Sequence, residues 1–393
     1  MILIFISLFA TLGTFAQVET EFDGNVEIQS RQTWNNPEAK DIPVIKQDWK
    51  EEQYTQMTGN LGFKADYKAL HAEVNWFGRK AYSSLFQQEA IATQIFAFPN
   101  KLVARDVFKL QYNRIDGDQQ TDSVLNKFYI EWREENSIAF GRMFINYGLG
   151  EIFNPLNPFN QPTGLTSLGN VAQGSDGFRF TLNVSETYSI DFFLLGDKRI
   201  DGYDGEIDRT LWVHGEYQAN EKLTLDYVIG EDQKRQKIGG QASYQFDQAM
   251  VFAQALYQTE FTNKKPSDNL WDLLLGYDQQ VTALYHLRFE GGYQKINSYG
   301  DLLSFSNRFL PTEYFVSLAN IYDIHPLVKL SGTFINDVKT GFSYFIGKTI
   351  WSMGNNIESE LFMYSPIGKG GQTDQVSQQL ITTDVGLALR AFF

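Results

Sequence analysis

From about residue 25 to its end the chain repeats one pattern: a run of alternating apolar and polar residues, then a turn or a polar loop. Successive side chains of an extended strand point to opposite faces, so such a run builds a wall that is greasy on one side and wet on the other. Across 124–133, Val124, Phe128, Ile130 and Trp132 share one parity, and Lys127, Tyr129, Glu131 and Arg133 share the other. Tyr285, Leu287, Phe289 and Tyr293 likewise oppose His286, Arg288 and Glu290, and Ile381, Val385, Leu387, Leu389 and Phe393 oppose Thr382, Asp384 and Arg390. Roughly twenty such segments occur, some of which merge, so about 18 strands are expected, within about 16 to 20.

The connections give an independent test. Short turns at 99–101, 134–136, 185–187, 219–221, 246–248, 278–281 and 323–326 alternate with longer polar segments at 116–122, 147–176, 196–208, 231–236, 262–269, 297–311 and 365–378. The polar stretch 32–53 reads as the first external loop. Barrels of outer membranes alternate short periplasmic turns with long external loops in this way. The expected fold class is therefore all-β, a transmembrane antiparallel β-barrel formed by residues 17–393 as one domain.

Composition removes the competing classes. With 33 Lys+Arg against 47 Asp+Glu the net charge is -14, the wrong sign for a nucleic-acid partner, which requires clustered cations to displace counterions. No apolar run of about 18 residues follows residue 16, so a bundle of membrane helices is excluded. A hydrophobic content of 43% excludes disorder. The chain has no cysteine, so disulfides, thiolate metal sites and thiol nucleophiles are all absent. Residues 1–16 are apolar, too short to span a bilayer comfortably, and end in the small residues Thr14 and Ala16; they read as a signal peptide whose positive charge comes from the amino terminus.

Two segments resemble known families. The alternating C-terminal strand ending in Ala391, Phe392 and Phe393 resembles the terminal aromatic signal of Gram-negative outer-membrane barrels, which implies Phe393 as an assembly signal and the barrel-assembly machinery as a partner. The run from Gly141 through Arg142, Met143, Phe144, Ile145, Asn146, Tyr147 and Gly148 to Gly150, followed by Asn154, Pro155, Asn157, Pro158 and Asn160, resembles alginate-export-type and related porin-like families. In those a Gly-Arg strand ending precedes a Trp-Gly-x-Gly turn and an Asn-Pro-rich loop. Here Met143 stands where an amide is commoner, Tyr147 replaces the Trp, and Asn157 sits where an acid is often found. The resemblance covers about 20 residues and implies a channel rather than a named solute.

Residues 147–176 make a loop of about thirty residues, well beyond the usual limit for a connection without a function. Pro155, Pro158 and Pro162 restrict its backbone, while Gly148, Gly150, Gly164, Gly169 and Gly174 permit sharp turns. Two readings are open. The loop folds into the lumen and narrows it, placing Arg142, Tyr147, Phe153, Asn154, Asn157, Phe159, Asn160 and Gln161 along a solute path, or it caps the barrel outside. Arg142 shares its parity with Ile138 and Phe140, which calls for a bulge near Gly141 or a strand already past the membrane.

Alternation places Lys127, Glu131, Arg133, Arg179, Glu358 and Glu360 inside, within a set of about nine bases facing about thirteen acids. A mixed, mildly cation-favouring lumen is expected, which argues against a polyanion as cargo. The competing reading of these charges is ion pairing between neighbouring strands. Catalysis is not expected: His71, His214, His286 and His325 lie in no Gly-x-Ser-x-Gly or His-x-x-x-His setting. No cofactor is expected either; Asp201, Asp204, Glu206 and Asp208 offer oxygen ligands for calcium without a complete calcium-loop spacing.

Together these features predict a porin-like channel of a Gram-negative cell outer membrane for passive diffusion of small hydrophilic solutes, touching outer-membrane lipid and lipopolysaccharide. A closed barrel serving as a structural or secretion-associated subunit is the alternative, and an embedded lipid-modifying enzyme the third reading. The oligomeric state and the solute are left open.

Overall fold

The computed structural model describes residues 18–34, 51–83, 111–157, 174–198, 207–232, 235–262, 265–295, 313–339, 341, 343–367 and 383–393. The predicted signal peptide and the short turn expected at 99–101 lie outside them. Extended segments run in chain order as β1 (Glu19–Trp34), β2 (Glu51–Tyr67), β3 (Leu70–Tyr82), β4 (Gln111–Asp116), β5 (Gln119–Arg133), β6 (Ser137–Met143), β7 (Ser175–Ser185), β8 (Tyr188–Lys198), β9 (Ile207–Asn220) and β10 (Leu223–Asp232). They continue as β11 (Arg235–Gln245), β12 (Ala249–Thr262), β13 (Lys265–Thr282), β14 (Tyr285–Gln294), β15 (Tyr314–His325), β16 (Val328–Asp337), β17 (Ser343–Ser352), β18 (Ile357–Ile367) and β19 (Thr383–Phe392). No helix occurs among the described residues.

All but the short β4 form a closed wall of 18 antiparallel strands. β1 closes it by pairing with β2 on one side and β19 on the other, in a register running from Asn25 opposite Phe392 to Trp34 opposite Thr383. Closure is what a membrane demands, because each unpaired backbone donor or acceptor costs several kcal/mol in hydrocarbon. The seam extends one residue further: Gly24 and Phe393 exchange both backbone hydrogen bonds at 3.0 Å.

Side-chain parity sorts the wall as expected. Ile28, Met57, Ile130, Leu211, Trp271 and Leu387 are exposed on the outside, while Glu27, Gln29, Glu73, Glu131, Asp272 and Glu290 are buried on the inside. One expectation fails in β5. Opposite β3, Asn75 pairs with Lys127 but Trp76 pairs with Leu125, so Asn126 is an inserted residue. A bulge inverts parity: Phe128, Ile130 and Trp132 keep one facing, whereas Val124, expected beside them, is buried.

Several boundaries also shift. The strands invade the expected first loop, since Gln32, Thr33 and Trp34 still pair with Gln53, Glu52 and Glu51. Residues 116–122 form a tight hairpin around Gly117 (φ 61°) instead of a long loop. Residues 278–281 belong to β13, where Gln279 and Gln280 pair with Leu287 and His286, and the turn follows Thr282. Hydrogen-bond pairing across the hairpins overrides the local turn residues in each case.

Candidate functional site

β6 is only seven residues long because the chain leaves the wall after Met143 and rejoins it at Ser175. At the point of departure, Arg142 and Asp176 face each other in register across β6 and β7. The guanidinium donates from Nε to Oδ1 at 2.6 Å and from Nη2 to Oδ2 at 2.8 Å, and from Nη1 to the Leu125 carbonyl at 3.1 Å. That carbonyl lies beside the bulge, above the last β5–β6 pair, Phe128 with Arg142. The planar fork thus satisfies a carboxylate and a wall carbonyl together, a geometry lysine cannot copy.

The puzzle of Arg142 parity resolves at Gly141. The β5–β6 register has no bulge there; instead Gly141 has φ 132°, a conformation L-residues rarely adopt, and the strand flips so that Arg142 is buried next to the exposed Phe140. A Cβ at Gly141 would meet the Phe128 carbonyl oxygen at 2.2 Å. The Gly-Arg pair is one device: the glycine turns the chain, and the arginine holds what the turn brings in.

Beyond Met143 the segment 144–157 lies inside the barrel. Its turn depends on Gly148 (φ 76°) and on Gly150, where a Cβ would collide with the Phe153 carbonyl. Asn154 closes the turn by donating to the Tyr147 carbonyl at 2.6 Å, and Asn157 donates to the Asn146 side chain at 2.6 Å. Two apolar clusters anchor it. Ile145 and Leu156 pack with Phe193, Leu195, Trp212, Val228 and Leu256 of β8, β9, β10 and β12. Ile152 and Phe153 pack with Phe252, Leu274, Phe315, Ile335, Ile346 and Phe362 of β12 to β18, and Phe153 meets Phe315 edge to face at 5.9 Å. Each buried side chain of this size contributes about 1.5–3 kcal/mol. Tyr147 stacks on His214 with ring centroids 3.9 Å apart, and its hydroxyl reaches Asp191 at 3.4 Å. The segment therefore enters the lumen; of the two sequence readings, the external cap does not describe residues 144–157.

The predicted residues separate into two groups. Arg142, Phe153, Asn154 and Asn157 are buried and hold the inserted segment in shape, whereas Phe159, Asn160, Gln161 and the side chains of Asp201, Asp204, Glu206 and Asp208 lie outside the described residues. Lys127, Glu131, Arg133 and Arg179 face the interior on β5 and β7, away from the strands that the inserted segment covers, and Glu358 and Glu360 face it on β18, whose Phe362 belongs to the cluster around Ile152 and Phe153. They form pairs between and along strands: Lys127 with Glu73 at 2.8 Å, Arg133 with Glu131 at 2.7 Å, Arg179 with Glu131, and Arg390 with Glu27, Glu358 and Glu360.

Within these pairs the base is the more exposed partner. Side-chain exposure is 34% for Lys127 against 11% for Glu73, 26% for Arg179 against 4% for Glu131, and 33% for Arg390 against 6% for Glu27. Elsewhere on the arc the order differs: Asp384 is more exposed than Arg31, at 11% against 4%, and Glu358 is level with Arg390, at 32% against 33%.

Sequence reasoning missed the apolar lining and the interior amides Gln241, Gln254 and Gln258. β12 shows why: its inward face carries Phe252, Gln254, Leu256 and Gln258, and its outward face Val251, Ala253, Ala255 and Tyr257. The inward face is half apolar, so alternation of apolar and polar residues alone does not distinguish the lumen from lipid here.

No family model matches the chain, and no curated protein matches it. Solved structures do. The chain is similar to Pseudomonas aeruginosa OccK8 (OprE), with 8% identity, a TM-score of 0.57, and coverage of 95% of this chain and 98% of that one. Against Pseudomonas aeruginosa OccK9 (OpdG) the values are 10%, 0.57, 95% and 98%. Against Pseudomonas aeruginosa OpdK, solved with vanillate, they are 8%, 0.55, 95% and 98%. At such identities the likeness is one of fold: this chain shares the 18-stranded barrel of a group of Pseudomonas outer-membrane porins.

Proposed function

We propose that this protein is a passive outer-membrane channel for small hydrophilic solutes. The observation that carries the reading is residues 144–157 lying inside a closed wall, anchored to one side of the lumen. A barrel that merely scaffolded other proteins would need no such insert, whereas a channel gains a constriction from it. The similar fold of outer-membrane porins supports this reading and the outer-membrane location.

The solute path runs along the arc from β19 to β7, opposite the strands covered by the insert. Lys127, Arg179 and Arg390 are more exposed on this arc than their partners Glu73, Glu131 and Glu27. The arrangement favours solutes that carry negative charge or offer hydrogen-bond acceptors, and the OpdK structure contains vanillate, an aromatic carboxylate. Selectivity here is electrostatic and steric and requires no covalent step.

Liposome swelling tests the reading. Vesicles carrying the purified barrel should swell in isotonic solutions of small sugars and small carboxylates, with rates that fall steeply as solute size increases. Swelling no faster than protein-free vesicles for every solute contradicts it.

A further inference from the structure

Three side chains of the far wall grip the backbone of the inserted segment. On β14 the Glu290 carboxylate accepts from the backbone N–H of Glu151 at 2.7 Å and of Ile152 at 3.0 Å. Two residues earlier on the same face, Arg288 donates to the Leu149 carbonyl. Its guanidinium is itself fixed, by Glu290 at 2.9 Å and by Asp278 of β13 at 3.1 Å, and it lies 5.2 Å above the Phe252 ring. From β11, Gln241 accepts from the Leu149 N–H at 3.0 Å.

Loop backbone has no sheet ladder to satisfy it, so its polar groups need partners wherever water is excluded. A carboxylate that takes two N–H groups makes charge-assisted bonds about twice as strong as neutral ones. The apolar contacts of Ile152 and Phe153 are not directional; these bonds are, and they hold residues 149–152 at one height and one distance from the wall.

We propose that Glu290, with Arg288 beside it, is the latch that positions residues 149–152 and thereby sets the bore of the channel. Both act as positioning residues, through the backbone of the segment they hold. The effect on the bore rests on the channel reading above; the position of the segment does not, and the two are measured separately.

The chain has no cysteine, so Ile152→Cys supplies a single reporter at a buried position. Its labelling by a water-soluble maleimide in the detergent-folded barrel should be slow with the latch intact. Glu290→Gln, which keeps the size and one oxygen, should accelerate labelling; Glu290→Ala should accelerate it further, by roughly tenfold or more given two charge-assisted bonds lost. Arg288→Met, the second variant, should also accelerate it, and a heat-modifiable barrel band identifies folded protein. Single-channel conductance should rise in the same order. Unchanged labelling in the folded latch variants overturns the latch. Faster labelling with wild-type conductance overturns its control of the bore. Faster labelling with no current from any protein, wild type included, supports the latch and removes the channel reading.

Discussion

The ring of Phe252 lies flat across the backbone of Gly276 on the neighbouring strand, so close that a Cβ on the glycine would be 2.0 Å from the ring. The arrangement repeats inside the barrel, with Phe315 over Gly292, Phe362 over Gly386 and Trp212 over Gly230. A glycine in a strand forgoes side-chain packing, and an aromatic from the adjacent strand covers the gap. It also keeps large rings against the wall instead of across the lumen.

Gly276→Val is therefore expected to expel the Phe252 ring inward. Overpacking of this kind costs about 1–3 kcal/mol, and because Phe252 supports Arg288, the variant should also accelerate labelling at Ile152→Cys. Urea unfolding in detergent or lipid measures the first effect, and the maleimide rate the second; a variant with wild-type values for both removes the tangential-ring account.

Removing Arg142 strands a buried carboxylate and reopens a wall carbonyl beside the bulge. Arg142→Ala should lose about 3–5 kcal/mol of stability, the usual cost of breaking a buried pair. Arg142→Lys should recover less than half of it, since an ammonium cannot form the fork. Loss of the heat-modifiable band at a lower temperature reports both, and full rescue by lysine contradicts the assigned geometry.

These two devices mark the limit of what the sequence discloses. The wall was legible because alternation is a rule of geometry: every strand with lipid on one face and water on the other must obey it, and about 18 strands follow from counting. The insert was legible as a segment, through its length and its Gly-Arg and Asn-Pro residues. Which of its residues face water was not. Asn154 and Asn157 look like solute ligands in the sequence because amides bind sugars, yet both are consumed in closing their own turn. Val124 misled for a different reason: one inserted residue, Asn126, inverts everything above it, and nothing in its identity announces a bulge. The orientation of Lys127 above Glu73 depends on contacts across strands far apart in sequence, which alternation does not encode.

The exposed bases Arg179 and Arg390 on the β19 to β7 arc should make the lumen less cation-selective than its acids alone would. Neutralising Arg179 and Arg390 to Gln should shift the reversal potential in a salt gradient toward cations, because the acids behind them become unscreened. An unchanged reversal potential, or a shift toward anions, places the ion path elsewhere. The shift should shrink as ionic strength rises, since these side chains are partly hydrated.

The seam between β1 and β19 runs on to Phe393. Phe393 pairs with Gly24 through both backbone groups, its ring is 6.4 Å from that of Phe22, and a Cβ at Gly24 would strike it at 2.6 Å. Deleting Phe393 should lower the yield of folded barrel several-fold in refolding assays, and Gly24→Leu should have a similar effect; wild-type yields for both exclude this seam as a determinant of assembly.

The channel reading requires a closed wall around water that the inserted segment narrows. Single-channel recording in planar bilayers tests it most directly. Discrete openings of one uniform size are expected from the wild-type protein, becoming larger when Glu290 is replaced by alanine. Silence from folded protein at high dose, or openings already as large as those of the unlatched variant, contradicts the account.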